Sequence, residues 1–428
     1  MKINVKVIIP KIITTLFVIS TSCQRLDIYN EQLQSKNFQE IIIKRKANFL
    51  SQDYKVKINS SNYVKNINKL GIDVIKVPDN KNIYEYIKEL SNDPSVEYAE
   101  PNYIRKIMLY EGDLNKNDND KYSKISSNLN IFKSIFNDPD IDLQYGLNVV
   151  KANLAWQITT GTPQINIAVI DTGVDLNHPD LKDNLTRGYT SVRGVATPID
   201  DNGHGTHVSG IIASIANNER GGVGLSPKCK IMPIKALTGK GEGNDSDIAE
   251  AIIWAVDNGA NIINLSLGGP NAGKTLENAI KYAYNSNVLV VAAMGNNGQR
   301  VKNYPASYKN VIAVSATDAN NKSASFSNYG DWVSVAAPGL RIYSTFPTYK
   351  VELSRFNLPL GYASMSGTSM ATPFVSALAG LILSKEPNLK RADIRRKIET
   401  GANDIDKNGY DEFFGYGIID AYKSLTIN

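Results

Sequence analysis

The feature of the sequence that most limits its fold is a regular alternation of apolar runs and helical runs after Asn137. The runs that predict buried strands lie at 165–169, 231–234, 262–265, 288–293 and 311–314, and those with helical spacing lie at 206–215, 247–256, 276–284 and 369–383. Continuous apolar strands that alternate with helices are typical of a mainly parallel sheet with both faces covered. We therefore expect a three-layer α/β domain over 137–428, with any chemistry at the carboxyl ends of its strands.

Composition excludes several classes of protein. The chain has 428 residues, of which 42% are hydrophobic and 21% charged, as in folded rather than disordered proteins. Its 47 basic and 42 acidic residues leave a net charge of +5, a small excess that does not indicate a nucleic-acid surface. The two cysteines, Cys23 and Cys229, exclude a disulfide framework, so an exported form would need another source of stability, such as a bound metal ion.

The first 23 residues are typical of an export signal. Basic residues precede a short apolar run at 12–20, and the small residues Thr21 and Ser22 follow it. This run is too short to span a bilayer permanently, so we expect a cleaved signal peptide and a secreted or cell-surface protein. Cys23 is placed like the acylated cysteine of a bacterial lipoprotein, although Ser20 stands where leucine is usual; an incidental cysteine in a cleaved peptide is the alternative.

Two further regions precede the large domain. Residues 38–106 combine strand-like alternation at 71–77 and 95–101 with helical spacing at 83–90, which predicts a small α+β domain. Residues 107–136 form a predicted linker, because Asn, Asp, Lys and Ser dominate its central part and apolar residues are few.

A first candidate for a functional group is Ser369, within Gly367-Thr-Ser-Met-Ala-Thr-Pro373. Small residues here allow a tight turn into the apolar helix at 369–383, so Ser369 is expected at a helix N-terminus beside unpaired backbone N–H groups. We expect Pro373 within the first turn, where its missing N–H removes no helical hydrogen bond. Alone, this pattern equally fits a capped core helix.

Two other motifs favour nucleophilic catalysis. Asp171 ends the first predicted strand beside Gly173, and His204 opens His204-Gly-Thr-His-Val-Ser-Gly210. Separately, the aspartate could cap a turn and the histidine could be structural. Together they supply what a serine nucleophile needs, an imidazole to take its proton and a carboxylate to orient that imidazole. Asn296 follows another buried strand, and its amide could donate to an oxyanion together with the Ser369 N–H.

At these motifs the chain resembles the subtilisin-family serine peptidases, and the thermitase branch most closely. The order Asp, His, Ser in DTG, HGTH and GTSMATP matches that family and differs from chymotrypsin and the α/β-hydrolases. The resemblance covers 137 to about 424 and implies a secreted, monomeric endopeptidase that hydrolyses polypeptides. It implies that Ser369 is the nucleophile, His204 the general base and acid, Asp171 the orienting carboxylate and Asn296 the oxyanion donor.

The resemblance also suggests how substrate is held. Ser266-Leu267-Gly268-Gly269 resembles the extended segment that pairs with substrate backbone, and Gly241-Glu-Gly243 resembles the segment on the other side. A substrate would then be held as an added β-strand, a mode that is indifferent to sequence. Because Asn296-Asn-Gly298 and Tyr304-Pro-Ala306 are neutral, we expect broad cleavage after apolar or aromatic residues.

A structural calcium ion is a further expectation from the resemblance. Asp138, Asp180 and Asn218 would give side-chain oxygens, and Ile215, Arg220 and Gly222 would give carbonyl oxygens, the ligand type that calcium prefers. The alternative is that all six are ordinary turn residues.

The small N-terminal domain resembles the family's inhibitory propeptide, which is ferredoxin-like, at Ser95-Val-Glu-Tyr-Ala-Glu-Pro-Asn-Tyr103. Such a propeptide inhibits the enzyme with its tail in the cleft and assists folding, which is slow for parallel sheets. We expect the chain to be cut within 105–136. If Cys23 carries lipid, that cut would release the catalytic domain from the membrane, to which no other segment ties it.

Three rival classes remain to be weighed. Asp171-Thr-Gly173 is also the tripeptide of aspartic peptidases, but the sequence lacks a second copy. A metal hydrolase using His204 and His207 would lack the glutamate of HExxH. A surface binding module on an inactive peptidase fold is disfavoured by the intact Asp171, His204, Asn296 and Ser369.

Overall fold

The computed structural model describes residues 39–47, 62–114 and 135–427. The chain divides into two compact units, Met1–Asn102 and Tyr103–Asn428. The predicted signal at 1–23, Cys23 and most of the predicted linker lie outside the described residues and remain predictions. Among the described helices, none has both the length and the apolar character needed to cross a membrane.

The first unit is a small antiparallel sheet with a helix, as expected. Its elements are β1 (Glu40–Arg45), β2 (Tyr63–Ile67), β3 (Ile72–Lys76), α1 (Ile83–Ser91) and β4 (Val96–Pro101). The sheet order β2-β3-β1-β4, with β1 antiparallel to both neighbours, is that of a ferredoxin-like domain. Asn82 caps α1 through the N–H groups of Tyr84 and Glu85, and the helix buries Ile83, Tyr86 and Leu90 against the sheet.

The second unit contains the remaining elements. Its strands are β5 (Ile104–Ile107), β6 (Asn166–Asp171), β7 (Tyr189–Thr190), β8 (Lys230–Lys235), β9 (Glu242–Asn244), β10 (Ile262–Leu265), β11 (Leu267–Gly268), β12 (Leu289–Ala293), β13 (Val311–Thr317), β14 (Val335–Pro338), β15 (Ile342–Thr345) and β16 (Tyr362–Met365). Its α-helices are α2 (Tyr145–Val149), α3 (Ala152–Ala155), α4 (His204–Ala213), α5 (Asp245–Asp257), α6 (Lys274–Asn285), α7 (Thr368–Lys385), α8 (Arg391–Gly401) and α9 (Ala421–Thr426).

The centre of this unit is a seven-stranded parallel sheet in the order β14-β13-β12-β10-β6-β8-β7. All five predicted strands belong to it, so the predicted sheet is confirmed. The edge strands β7 and β14 were not predicted, because two residues and four residues ending in proline give too short a pattern to recognise.

Helices cover both faces of the sheet. Ile167 and Val169 of β6 share a buried cluster with residues of α4 and α7, whereas the alternate residues Ala168 and Ile170 are buried outside that cluster. Helices α5 and α6 pack on each other and contact β6, β8 and β12. Helices α4 and α7 form a second packed pair. The result is the expected three-layer domain. Cys229 is a free, buried cysteine of the core.

Helix α7 differs from the expectation at Pro373. The helix begins at Thr368, so Pro373 is its sixth residue and lies inside it rather than in the first turn. At that place an ordinary residue would donate its N–H to the carbonyl of Ser369, four residues back. The Ser266 hydroxyl donates to that carbonyl instead, at 3.0 Å, which satisfies the group that proline leaves open.

The segment Tyr103–Leu114 belongs to the second unit, although 103–106 was expected in the propeptide and 107–114 in the linker. Strand β5 completes a three-stranded antiparallel sheet with β11 and β9. Backbone hydrogen bonds to two edge strands therefore decide where this segment lies, and its composition gave no sign of them.

The complete burial of α7 from Thr368 to Leu383 generates a prediction for stability. Leu378→Ala, at a side chain with 0% exposure, should lower the free energy of unfolding by about 2–5 kcal/mol, because it removes apolar contacts and leaves a cavity. A urea titration followed by tryptophan fluorescence measures the change. Leu360→Ala, at a side chain 48% exposed, is the matched control and should change stability by less than about 0.5 kcal/mol; equal effects would contradict this role of α7.

Candidate active site

Four predicted site residues gather at the carboxyl edge of the parallel sheet. Asp171 is the last residue of β6, Ser266 directly follows β10, and Asn296 lies three residues beyond the end of β12. Ser369 is the second residue of α7, whose body packs on the same sheet. Parallel strands all end at one edge, which is why residues far apart in sequence meet there.

Asp171 and His204 form a buried pair. Nδ1 of His204 lies 2.8 Å from Oδ1 of Asp171, and both side chains have 0% exposure. The same oxygen accepts the N–H of Thr172 at 2.7 Å. Because an ionised carboxylate can only accept, Nδ1 carries the proton and Nε2 keeps a free lone pair. Nε2 is buried without a hydrogen-bond partner among the described residues, so it is available to take a proton.

The Ser369 hydroxyl does not bond to His204. It donates to the carbonyl of Ser266 at 2.8 Å. Helices α4 and α7, which carry the two residues, pack directly against each other. Proton transfer to Nε2 would need the Ser369 hydroxyl to turn away from the Ser266 carbonyl, and a change of side-chain rotamer is the ordinary way to redirect a serine hydroxyl.

A polar network beneath Ser369 was missed by the sequence reasoning. Asn264 donates from Nδ2 to the hydroxyl of Ser266 at 2.9 Å, and it accepts from the hydroxyl of Ser376 at 2.8 Å. All of these groups are buried. The network fixes the Ser266 hydroxyl against the Ser369 carbonyl, and only the proline at 373 could have hinted that this carbonyl needs a donor.

Asn296 is oriented by Thr368. Its Oδ1 accepts from both the N–H and the hydroxyl of Thr368, each at 2.9 Å, and the Thr368 oxygen accepts the N–H of Gly295 at 3.1 Å. These bonds leave Nδ2 of Asn296 buried and without a partner in the described part of the chain. Thr368 was not singled out in the sequence, although it lies directly before the serine.

His207 has a different environment from His204. Its Nε2 lies 3.0 Å from the carbonyl oxygens of both Ile342 and Ala363, so it carries the proton and donates. Complete burial lowers the pKa of His207 to about 3, because loss of hydration disfavours the charged ring more than the hydrogen bonds to the Ala363 and Ile342 carbonyls favour it. This ring is a neutral, packed group that ties α4 to the β15–β16 hairpin.

The chain's own segment 104–108 lies beside these residues, in the groove between β9 and β11. Its register sets Lys106 opposite Gly268 and Ile107 opposite Leu267 of β11, and Arg105 opposite Gly243 of β9. Further bonds run from the Ile107 N–H to the Gly241 carbonyl at 2.9 Å and from the Met108 N–H to the Ser266 carbonyl at 3.1 Å. Gly269 pairs with Tyr304 instead, and its carbonyl accepts from the Arg105 side chain at 3.2 Å.

The segment then passes directly over the helix N-terminus. The Ser369 N–H donates to the Met108 carbonyl at 3.2 Å. A Cβ on Gly367 would lie 2.3 Å from that carbonyl oxygen, so glycine at this place permits the close approach. Beyond it, the Tyr110 N–H donates to the Ser366 carbonyl at 2.7 Å, and the Tyr110 ring stacks on Phe326 at 4.7 Å. The uncut chain thus crosses the site in an extended form.

The segment 347–362 packs on the loop that precedes His204. Its short 3-10 helix Glu352–Phe356 begins with N–H groups that donate to the carbonyls of Asp201 and Asn202, just before α4. The Tyr349 hydroxyl donates to the Asp200 carbonyl at 2.9 Å. The segment therefore supports the loop that carries His204.

The residues predicted to bind calcium lie together. The Asp138 carboxylate accepts the N–H groups of Asn217 and Asn218 at 2.8 and 3.2 Å, and Oδ1 of Asp180 accepts from the Asn218 amide at 2.7 Å. Within the described residues, Oδ2 of Asp180 has no partner. Burial raises the pKa of Asp180 to about 8, and the charge of Asp138 adds to the rise.

The donor set at this place has few acids and several carbonyls. Over 39–47, 62–114 and 135–427, no three His, Cys, Asp or Glu side chains gather in a metal-binding cluster. No backbone N–H of the described residues donates to the carbonyl oxygens of Ile215, Arg220 and Gly222. Two carboxylates with free carbonyls suit a hard cation such as calcium and do not suit zinc.

Comparisons with known proteins agree with this geometry. The subtilase family profile matches residues 162–417, and the profile of the fervidolysin N-terminal prodomain matches 43–102. The thermophilic serine proteinase of Bacillus sp. (strain AK1) is 41% identical over 385 residues, which cover 87% of this chain and 86% of that protein. Thermitase of Thermoactinomyces vulgaris is 43% identical over 290 residues, which cover 68% of this chain and 98% of thermitase.

A solved structure shows the same fold. The crystal structure of fervidolysin from Fervidobacterium pennivorans, a keratinolytic enzyme related to subtilisin, superposes with a TM-score of 0.77 at 30% sequence identity. The superposition covers 91% of this chain and 61% of the fervidolysin chain.

These matches leave the aspartic peptidase and metal hydrolase alternatives without support. The subtilase profile covers more than half of the chain, and the relatives match it over most of their own length. The chain therefore belongs to the subtilase family and is a serine peptidase with an N-terminal prodomain.

Proposed function

We propose that the chain is an exported endopeptidase that cuts polypeptides through an acyl-enzyme formed on Ser369. The observation that carries this proposal is the hydrogen bond from the Ser369 N–H to the carbonyl of Met108. It puts a peptide carbonyl at the helix N-terminus that also holds the candidate nucleophile. Export rests on the pattern of residues 1–23 alone.

In the first step, the Ser369 hydroxyl turns from the Ser266 carbonyl to Nε2 of His204. Its oxygen attacks the carbonyl carbon of the residue in the place of Met108, and its proton passes to Nε2. Asp171 stabilises the imidazolium through the Nδ1 hydrogen bond. The carbonyl oxygen becomes an oxyanion that accepts from the Ser369 N–H and from Nδ2 of Asn296, the donor that has no other partner among the described residues.

In the second step, the tetrahedral intermediate collapses. The C–N bond breaks, and His204 gives its proton to the leaving amine, which departs with the C-terminal part of the substrate. Water then attacks the ester on Ser369 while His204 takes the water's proton. The acid is released, and the proton returns to the serine oxygen.

Substrates would bind as the chain's own segment does, as a strand between Ser266–Gly269 and Gly241–Gly243. Main-chain hydrogen bonds supply most of this recognition and fit many sequences. The residue before the cut fills a neutral site, where Sδ of Met108 lies 3.7 Å from Nδ2 of Asn303. Broad cleavage after apolar residues is the specificity that these contacts support.

The same register implies that the chain cuts itself between Met108 and Leu109. Segment 104–108 then acts as an intramolecular inhibitor until its strand leaves the groove, with the prodomain as folding aid. Release would complete maturation.

A calcium ion would bind Asp138, Asp180, the Asn218 oxygen and the carbonyls of Ile215, Arg220 and Gly222. The unpartnered Oδ2 and the raised pKa of Asp180 support this, because a buried carboxylate needs a compensating charge. The ion would join the start of the catalytic domain to the loop after α4 and take no part in the reaction.

Removal of the Ser369 hydroxyl tests the nucleophile. Ser369→Ala should abolish both casein hydrolysis and self-cleavage, whereas the wild type should release a prosegment whose mass ends at Met108. Ser384→Ala on the same helix is the matched control, because its hydroxyl donates to the Gly380 carbonyl one turn back and contacts Cys229, away from the site. A Ser369→Ala protein that still matures would remove Ser369 from the mechanism.

Removal of the Asn296 amide tests the oxyanion site. Asn296→Ala should lower kcat by roughly 10²–10³ with little change in KM, because the lost donor acts mainly on the transition state. Steady-state kinetics on a fluorogenic peptide measure both constants. Asn297→Ala, at the exposed neighbour, should keep kcat; an unchanged kcat in Asn296→Ala would exclude this donor.

Calcium binding predicts a difference in thermal stability. The wild type should lose several degrees of Tm when a chelator removes calcium, and Asp180→Asn should lose most of that difference because it deletes a charged ligand. Asp183→Asn, at an exposed carboxyl nearby, should keep the difference. The same Tm with and without chelator would contradict the site.

A further inference from the structure

Arg105 occupies a defined place in the groove. The Met108 carbonyl meets the Ser369 N–H, so Met108 precedes the bond to be cut. Counting back from Met108, Arg105 is the fourth residue, and it lies on β5 opposite Gly243. Any polypeptide bound in the same register would put its own fourth residue there.

The Arg105 side chain is completely enclosed. Its exposure is 0%, and its Nε and Nη2 atoms donate to the two oxygens of Asp245 at 2.5 and 2.6 Å. Nη1 donates to the carbonyls of Asn271 at 2.8 Å and Gly269 at 3.2 Å, with the Tyr304 carbonyl at 3.5 Å. The guanidinium and the carboxylate thus form a bidentate ion pair, and backbone carbonyls accept the remaining hydrogen bonds of Nη1.

Every acceptor around this guanidinium belongs to the part of the enzyme that stays after cleavage. Asp245 is the first residue of α5 and has 0% exposure. Gly273 lies beside it, and a Cβ there would be 2.3 Å from Oδ2 of Asp245, so glycine makes room for the carboxylate. Burial raises the pKa of the Asp245 carboxyl, and the charge of Arg105 opposes that rise.

Departure of the segment would leave Asp245 without its countercharge. A polypeptide that refilled the pocket without a cation would bury this carboxylate uncompensated, so the pocket favours a side chain that brings a cation of the same shape. Lysine could supply charge but not the planar fork that meets both carboxylate oxygens and the carbonyls.

The neighbouring basic residue behaves differently. Lys106 pairs with Glu242 at 2.7 Å, but its side chain is 65% exposed and that of Glu242 is 39% exposed. Exposed pairs of this kind contribute little. Of the two basic residues in β5, only Arg105 lies in a closed pocket whose groups accept its hydrogen bonds.

We propose that Asp245, with the carbonyls of Gly269 and Asn271, is a guanidinium-binding subsite that selects arginine at the fourth residue before the cut bond. It acts on the chain's own activation segment and on other polypeptide substrates alike. The subsite rests on the proposed function, because the count from the cut bond assumes attack by Ser369. It restricts the broad specificity expected from main-chain pairing.

A matched pair of internally quenched peptides tests the subsite on the mature wild-type enzyme. One peptide has the sequence of residues 103–111, and the other has citrulline in place of Arg105, which keeps the shape and removes the charge. We expect kcat/KM to fall about a hundred-fold with citrulline, because Asp245 is then buried without a countercharge. Replacement of Lys106 by glutamine in the peptide is the control and should change kcat/KM less than about fivefold.

A variant tests the assignment to Asp245. The full chain carrying Asp245→Asn together with Arg105→Gln has no charge in the pocket to leave unpaired, so it can mature. It should cleave the citrulline peptide at about the rate at which the wild type cleaves that peptide. It should cleave the arginine peptide no faster, because the preference for arginine is lost. If this variant stays uncut, the peptide pair on the wild-type enzyme still decides.

The outcomes separate the two proposals. Equal cleavage of the arginine and citrulline peptides by the wild type would overturn the subsite and leave the peptidase assignment intact. Full arginine preference in the Asp245→Asn variant would overturn the role of Asp245. Failure of the wild type to cut either peptide, or casein, would instead count against the proposed function.

Discussion

Burial of helix α7 against the parallel sheet is the constraint on which the site depends. The sheet holds Asp171, Ser266 and Asn296 at one edge, but the helix brings Ser369 and Thr368 to that edge. Thr368 orients the Asn296 amide, and the Ser369 N–H meets the peptide carbonyl of Met108. Because the helix is buried from Thr368 to Leu383, its N-terminus cannot shift without disturbing the core, so the donors are fixed before a substrate arrives.

Three buried aspartates of this unit, Asp171, Asp180 and Asp245, differ in the groups that surround their carboxylates. Asp171 pairs with the His204 ring, and Asp245 pairs with the Arg105 guanidinium. Asp180 has only the Asn218 amide as a side-chain donor on Oδ1, and its pKa is raised to about 8. A buried carboxylate needs hydrogen-bond donors, a cation or a proton, and the surroundings of Asp180 and Asp245 favour a cation beside each of them. The same physical requirement therefore underlies the proposed substrate subsite at Asp245 and the proposed calcium site at Asp180.

The segment 104–108 is bound mainly through its backbone. It adds a strand between β9 and β11, so its backbone bonds do not depend on its sequence. Two of its side chains differ in exposure to solvent: Lys106 is largely exposed, whereas Arg105 is enclosed. The segment is therefore held by backbone hydrogen bonds along its length and by one buried ion pair.

The amino-acid sequence by itself determined the parallel sheet, the small α+β unit and the residues that gather at the sheet edge. These features depend on local periodicity and on short motifs, which one stretch of chain carries in full. Only the tertiary structure decided the direction of the Ser369 hydroxyl, the donor that replaces the missing N–H of Pro373, the orientation of Asn296 by Thr368 and the enclosure of Arg105 by Asp245. Each of these is a contact between groups that the fold brings together from distant positions, and no local pattern encodes the partner.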